Sequence, residues 1–133
     1  MIRIPKTIYE AMIDHARREA PLECCGILAG LDGTVRKAFA MRNEEQSPDR
    51  YTMSPREQIK VFEEMERDSL EMVAIYHSHT HTIPFPSETD VRLSFYPDVA
   101  FVIISLMEDT PVVKAFKIKK DAIYPEEIEV IPL

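Results

Sequence analysis

Residues 76–90 form the most informative run of the chain, YHSHTHTIPFPSETD. Three of the four histidines in the chain lie in this run, at positions 77, 79 and 81. In an extended strand, residues two apart point to the same side and lie about 6–7 Å from each other. His77 and His79 can therefore converge on one metal ion, and the apolar residues before them predict a rigid strand as their base.

Outward from this run, the pattern predicts strands that alternate with helices. We predict helices at residues 6–20, 54–69 and 87–95, and strands at residues 24–31, 34–41, 71–79, 99–106, 112–118 and 123–131. The segment at 99–106 is almost wholly apolar, which is typical of a central strand covered on both faces. Helices interleaved with strands predict an α/β or mixed-sheet fold. The polar segment 42–50 predicts a mobile surface loop.

Length and composition limit the possible classes. The 133 residues suit a single domain over positions 1–133, and hydrophobic residues make up 45% of the chain. A net charge of -7 disfavours nucleic acid as a partner. No apolar run approaches the roughly 20 residues of a membrane span, and the first residues lack the apolar segment of a secretory signal. We therefore expect a cytoplasmic protein that does not bind membranes.

The two cysteines and the isolated histidine predict structural roles. Cys24 and Cys25 are adjacent, so their Cα atoms are too close for a relaxed disulfide. We expect both to be reduced, buried thiols rather than metal ligands. His15 lies in the first predicted helix, and we expect it at the surface.

His-x-His alone does not identify a class, because unrelated metal hydrolases use it. Amidohydrolase and phosphoesterase barrels need roughly 200 residues or more, which this chain does not have. A metallo-β-lactamase pattern needs an Asp-His pair after the second histidine, where this chain has His81 and Thr82. Both classes are therefore excluded.

The continuation of the run is more specific. The pattern His-x-His-x7-Ser-x-x-Asp, at His77, His79, Ser87 and Asp90, resembles the signature of the JAMM (MPN+) metallopeptidases. Residues 21–30, PLECCGILAG, resemble the glutamate-bearing segment of the prokaryotic members, proline-x-Glu-x-Cys-Gly-x-Leu-x-Gly. The order and separation of the two motifs match over almost the whole chain.

This resemblance implies an MPN domain, a curved mixed sheet flanked by helices with a deaminase-like architecture. It implies that His77, His79 and Asp90 bind Zn²⁺, that Glu23 is the general acid/base, and that Ser87 hydrogen-bonds the developing oxyanion. The implied reaction is hydrolysis of a peptide or isopeptide bond after the C-terminal Gly-Gly tail of a ubiquitin-like or sulfur-carrier protein. The near-minimal length favours the prokaryotic branch.

One position departs from the family pattern. The residue after the second histidine is usually proline, whereas this chain has Thr80 followed by His81. The change removes no ligand, and we expect His81 at the rim of the site rather than on the metal.

Other interpretations remain open at this point. Ser87-x-x-Asp90 after a proline is also an ordinary capping box at a helix N-terminus, and the two roles are compatible. A non-catalytic MPN scaffold or interaction module is an alternative function, and a homodimer is possible. A nucleobase deaminase would need His-x-Glu and Pro-Cys-x-x-Cys motifs, which the chain lacks.

Overall fold

The computed structural model describes residues 1–94 and 96–132, which form one eight-stranded sheet with three helices. The strands are β1 (Ile2–Pro5), β2 (Cys25–Leu31), β3 (Thr34–Met41), β4 (Glu71–His79), β5 (Ala100–Ser105), β6 (Val112–Lys119), β7 (Ala122–Glu126) and β8 (Ile128–Ile131). The helices are α1 (Lys6–Glu19), α2 (Pro55–Arg67) and α3 (Glu88–Arg92). The prediction that the third helix extends to position 95 reaches a residue outside the described ones.

The sheet is mixed and strongly curved. Its strand order is β7-β6-β5-β4-β2-β3-β1-β8. The pairs β4–β5, β1–β3 and β1–β8 are parallel, and the other pairs are antiparallel. Only Glu127 separates β7 from β8, which lie at opposite ends of this order. The sheet must therefore curl until its two edges meet, which gives a nearly barrel-like shape.

Each face of the sheet has its own core. Met12 and Ala16 of α1 pack on one face, in a cluster that includes Tyr76. Val61 and Met65 of α2 pack on the other face, in a second cluster. The predicted α/β class, with a mixed sheet flanked by helices, is confirmed.

The structure differs from the prediction at both ends of the chain. The short strand β1 was not expected, and the predicted strand at 123–131 is two strands, β7 and β8, which pair at opposite edges. An apolar pattern shows that a segment is extended, but the pattern does not identify its partner. No helix within residues 1–94 and 96–132 has the length and apolar character of a membrane span.

Candidate metal centre

The centre of the site is the carboxyl end of β4, which lies between β2 and β5 in the middle of the sheet. His77 pairs with Cys25 on β2 and with Ile103 on β5. Because side chains alternate along a strand, His77 and His79 share one face while Tyr76 and Ser78 share the other. Both imidazoles are buried, with His77 fully inaccessible to solvent. The strand therefore presents two rings from a rigid base.

Helix α3 supplies the third side chain. Ser87 is its N-cap, with Oγ accepting a hydrogen bond from the Asp90 N–H at 3.0 Å. Asp90 Oδ2 in turn accepts from the Ser87 N–H at 2.9 Å, which completes a reciprocal capping box. The cap predicted from the sequence is thus present, and it fixes the Asp90 carboxylate against the two imidazoles.

The three side chains meet at a single point. Nε2 of His77 lies 3.2 Å from Nε2 of His79, and both nitrogens lie 3.1 Å from Asp90 Oδ2. Ligand atoms at the corners of a tetrahedron, each about 2.0–2.1 Å from a central ion, lie about 3.3 Å apart. The observed triangle therefore fits one face of a tetrahedral metal site, whose fourth corner is left for another ligand. These three residues form a group able to hold a metal ion.

The surroundings hold the two imidazoles differently, since His79 Nδ1 has a hydrogen-bond acceptor whereas the buried His77 Nδ1 has no hydrogen-bond partner among the described residues. His79 Nδ1 lies 2.9 Å from the carbonyl oxygen of Ile83. An Nδ1–H that donates to this carbonyl leaves the Nε2 lone pair free to face the shared point. The ring of Tyr51 stacks on His77, with 4.7 Å between the ring centroids. Tyr51 comes from the segment between β3 and α2, so three separate parts of the chain build the site.

In the metal-free protein the ligands adjust each other's protonation. Burial raises the pKa of Asp90, but the nearby His77 and the hydrogen bonds from His77, His79 and the Ser87 N–H outweigh it and hold that pKa well below its usual range. Burial lowers the pKa of His79, but its hydrogen bonds to Asp90 and to the Ile83 carbonyl outweigh burial and raise it. The cluster therefore keeps an ionised carboxylate, which attracts a cation.

Glu23 lies just before β2, with only 4% of its surface exposed. Its Oε1 is buried without a hydrogen-bond partner among the described residues. Burial raises the pKa of Glu23 to about 8, against the opposing effect of His79, while Asp90 raises it further. A buried carboxyl whose charge couples to His79 and Asp90 has the environment expected of an acid/base group.

Ser78, the residue between the two ligand histidines, ties the glutamate segment to β4. Its Oγ accepts a hydrogen bond from the Cys24 N–H at 2.8 Å, and its own N–H donates to the Cys24 carbonyl at 3.2 Å. Sequence reasoning did not assign a role to Ser78 or to Tyr51. A small hydroxyl residue inside His-x-His was the only signal for Ser78, and none was visible for Tyr51.

The departure from the family pattern has a local explanation. Thr80 is buried, and its hydroxyl donates to the Pro21 carbonyl at 3.2 Å. This bond links the end of β4 to the segment that carries Glu23. His81 is exposed and lies outside the group of three clustered side chains.

Two other sequence predictions can be compared with the structure. Cys24 and Cys25 are free and buried, as expected. The prediction of a surface position for His15 is wrong, because the ring is buried and its Nδ1 lies 2.8 Å from the Tyr76 hydroxyl. His15 continues the buried stripe of α1 that includes Met12 and Ala16, and the Tyr76 hydroxyl satisfies its polar atom.

A cavity of about 320 Å³ is lined in part by Asp90. Its walls are largely apolar, with Tyr51, Met53, Leu93 and Phe101 among them. A cavity of this kind, next to the three clustered side chains, can hold a peptide segment while the scissile bond faces those side chains.

Comparison with known proteins agrees with this fold. The family model described as prokaryotic homologs of the JAB domain matches residues 5–119. The CysO-cysteine peptidase of Mycobacterium tuberculosis is 39% identical over 127 residues, which cover 93% of this chain and 87% of that protein. A probable TtuB-protein conjugate cleaving protease of Thermus thermophilus is 32% identical over 93 residues, covering 69% of this chain and 62% of that protein.

A solved structure resembles the whole chain. The solution structure of a Desulfitobacterium hafniense protein is 40% identical with a TM-score of 0.92, and the match covers 100% of this chain and 94% of that one. The chain therefore belongs to the prokaryotic JAB family, the JAMM/MPN type anticipated from its motifs. It is an enzyme, a peptidase of the JAMM type, and the alternative of a non-catalytic scaffold is not supported. This family is typically metal-dependent.

Proposed function

We propose that the protein is a zinc peptidase that cleaves the peptide or isopeptide bond after the Gly-Gly tail of a ubiquitin-like or sulfur-carrier protein. The observation that carries the proposal is the triangle of His77, His79 and Asp90, with ligand atoms 3.1–3.2 Å apart. Two imidazoles and one carboxylate with an open fourth position are a typical catalytic zinc set. Bound there, zinc would polarise the scissile carbonyl and lower the pKa of water toward about 7.

The protein's own residues perform the proton transfers in this proposal. Glu23 accepts a proton from the water whose oxygen attacks the scissile carbonyl carbon. As the carbon–nitrogen bond breaks, Glu23 gives that proton to the departing amine, and the second proton of the water stays on the new carboxyl group of the Gly-Gly tail, which then ionises in solution. Burial raises the pKa of Glu23 in the metal-free protein, which supports this role because a general acid/base works best when its pKa lies closer to neutral pH than that of an ordinary carboxyl.

Ser87 stabilises the charge that develops on the carbonyl oxygen. Its Oγ already accepts a hydrogen bond from the Asp90 N–H, so its own O–H proton remains free to donate to that oxygen. Donors of this type contribute a few kcal/mol to the stability of a transition state. One residue thus caps α3 and supplies the oxyanion donor.

The substrate class is supported by the relatives and by the shape of the site. The relatives include a CysO-cysteine peptidase and a probable TtuB-protein conjugate cleaving protease. The ligand histidines are 0% and 4% exposed, so there is little room for side chains beside the metal. A tail that ends in two glycines can approach such a buried centre, while residues before the glycines occupy the cavity beside Asp90.

We further propose that residues 1–133 form a single domain that acts in the cytoplasm. The continuous sheet with a core on each face supports a single domain. A homodimer remains a prediction, which light scattering after size-exclusion chromatography tests.

Mass spectrometry of tail cleavage tests the proposed function. The enzyme is incubated with ubiquitin-like and sulfur-carrier proteins that end in Gly-Gly-X, and with the same proteins carrying Ala-Ala-X as the matched control. We expect release of X from the Gly-Gly tail only, complete loss of release with a chelator, and recovery when zinc is added back. Failure to cleave any Gly-Gly tail or Gly-Gly isopeptide conjugate would contradict the substrate assignment, and activity that survives the chelator would contradict the role of zinc.

A further inference from the structure

Asn43 lies two residues beyond the end of β3 and is 8% exposed. Its Nδ2 donates to the carbonyls of Glu23 at 3.1 Å and Arg50 at 3.0 Å. Its Oδ1 accepts from the N–H groups of Glu45 and Thr52, both at 3.1 Å. An amide side chain has two N–H donors and two acceptor lone pairs. All four are therefore used, and all four bind backbone groups.

These bonds join the segment between β3 and α2 to the segment that carries Glu23. The same loop also accepts a hydrogen bond from Glu23, whose N–H donates to the Ser47 carbonyl at 2.9 Å. Both polar groups of the Glu23 backbone are thus held by one loop, whose closure depends on Asn43. The loop predicted to be mobile is anchored at its centre and at both ends.

The side chain of Glu23 has no comparable restraint. Its Oε1 makes no hydrogen bond within the described part of the chain. Its direction is therefore set by the position of its backbone and by packing. A displacement of about 1 Å at a reacting group can reduce a rate 10²-fold, so the residue that holds this backbone affects the chemistry without contacting the substrate.

We propose that Asn43 is a positioning residue that acts through Glu23, by fixing the backbone from which the Glu23 carboxyl reaches the metal ligands. This inference rests on the acid/base role proposed for Glu23. It assigns Asn43 to the catalytic step rather than to metal binding, because none of its hydrogen bonds reaches His77, His79 or Asp90.

The first test is Asn43→Asp, which preserves the shape of the side chain. A carboxylate cannot donate, so it places oxygen against the Glu23 and Arg50 carbonyls. We expect kcat to fall about 10–100-fold while KM changes less than about threefold and zinc content stays at one ion per chain. Ser47→Ala is the matched control, because it removes the loop hydrogen bond from the Asp49 N–H to Ser47 Oγ and leaves the Ser47 carbonyl and every bond of Asn43 in place. We expect its kcat to stay within about twofold of the wild-type value.

The second test combines this variant with Glu23→Gln and measures single-turnover rates at excess enzyme. If Asn43 acts through Glu23, then Asn43→Asp should cause little further loss once Glu23 is already Gln. Losses that multiply in the double variant would overturn the role of Asn43 alone. Wild-type turnover by Glu23→Gln would instead contradict the proposed function.

Asn43→Ala covers the case in which Asn43→Asp fails to fold, because it adds no charge to the loop. We expect Asn43→Ala to fold, bind zinc and lose kcat in the same way. Loss of fold or of zinc in both variants would overturn the proposal, and so would unchanged kcat in a folded variant.

Discussion

The two faces of strand β4 both bury histidine rings, but they do so in different ways. On the α1 face, Nδ1 of His15 lies 2.8 Å from the Tyr76 hydroxyl and Nε2 lies 3.7 Å from a carboxylate oxygen of Glu19, and burial lowers the pKa of His15. On the α2 face, two imidazoles and a carboxylate direct their ligand atoms at one point. Each ring nitrogen of His15 therefore has a partner within the protein, whereas on the α2 face three ligand atoms meet at one point that a cation can occupy. Burial of a histidine side chain therefore does not by itself indicate a metal site. The convergence of several ligand atoms on one point does.

The largest expected effect comes from removing a ligand on the α2 face. We expect His77→Ala to abolish peptidase activity. It should also weaken zinc binding by more than about 100-fold, because even the loss of a residue that hydrogen-bonds a metal ligand weakens binding by about 10–100-fold. Elemental analysis and chelator competition measure this. The matched change on the other face, His15→Ala, should retain one zinc per chain. Equal loss of zinc in the two variants would remove the distinction between the faces.

Substitution of the buried acid should give the next largest effect. We expect Glu23→Gln to keep fold and zinc but to lose about 10²–10⁴-fold in kcat, the usual contribution of a general acid/base. Steady-state kinetics beside elemental analysis measures both quantities. Turnover near the wild-type level would show that another group, and not Glu23, is the general acid/base.

Glu23 should also make the stability of the metal-free protein depend on pH. Because the folded state raises the pKa of Glu23 from 4.5 to about 8, it favours the protonated carboxyl. The corresponding stability is fully present below the unfolded pKa and is lost as the pH rises through about 8. With a chelator present, Glu23→Gln should therefore gain Tm over the wild type as the pH increases from about 5 to 9, by roughly 3–6 °C for each kcal/mol. Thermal melts measure this, and a Tm difference that is independent of pH would contradict it.

The smallest effect on activity should come from disrupting the hydrogen bond between His15 and Tyr76 on the α1 face. Tyr76→Phe removes the hydroxyl partner of His15 and should cost about 1–3 kcal/mol of unfolding free energy, the typical penalty of an unsatisfied buried group. Zinc content and kcat/KM should stay within about twofold of the wild type, although Tyr76 is adjacent to His77. Denaturant unfolding and kinetics measure the two quantities. A large loss of zinc would show that the faces are coupled.

The sequence predicted most of the local structure correctly. Strands β3 and β4 have their predicted bounds, and the cap at Ser87 is present. These features depend on interactions within a few residues, such as side-chain alternation and the hydrogen bonds of a helix N-terminus. Gly26 in the glutamate motif also has a clear reason, since a Cβ at this position would collide with the Tyr76 ring. That reason became visible only in the structure.

The residues that support the site were harder to predict. Asn43 lies in a segment whose composition indicates a mobile loop, and Tyr51 lies in the same stretch between β3 and α2. Their partners, Glu23 and His77, are more than 15 positions away in the chain. His15 was assigned to the surface for the same reason, because its partner Tyr76 is 61 positions away. Contacts over such separations depend on strand order, which local patterns do not encode.

The sequence by itself determined the spacing of His77 and His79, the Ser87–Asp90 cap and the resemblance that adds Glu23. The tertiary structure alone decided that β2 and β5 flank the ligand strand, that the edges of the sheet meet near Glu127, and that a loop residue holds the glutamate backbone. The physical reason is the range of the forces involved. Backbone geometry fixes neighbours along the chain, whereas the burial of two separate cores selects which distant segments come together.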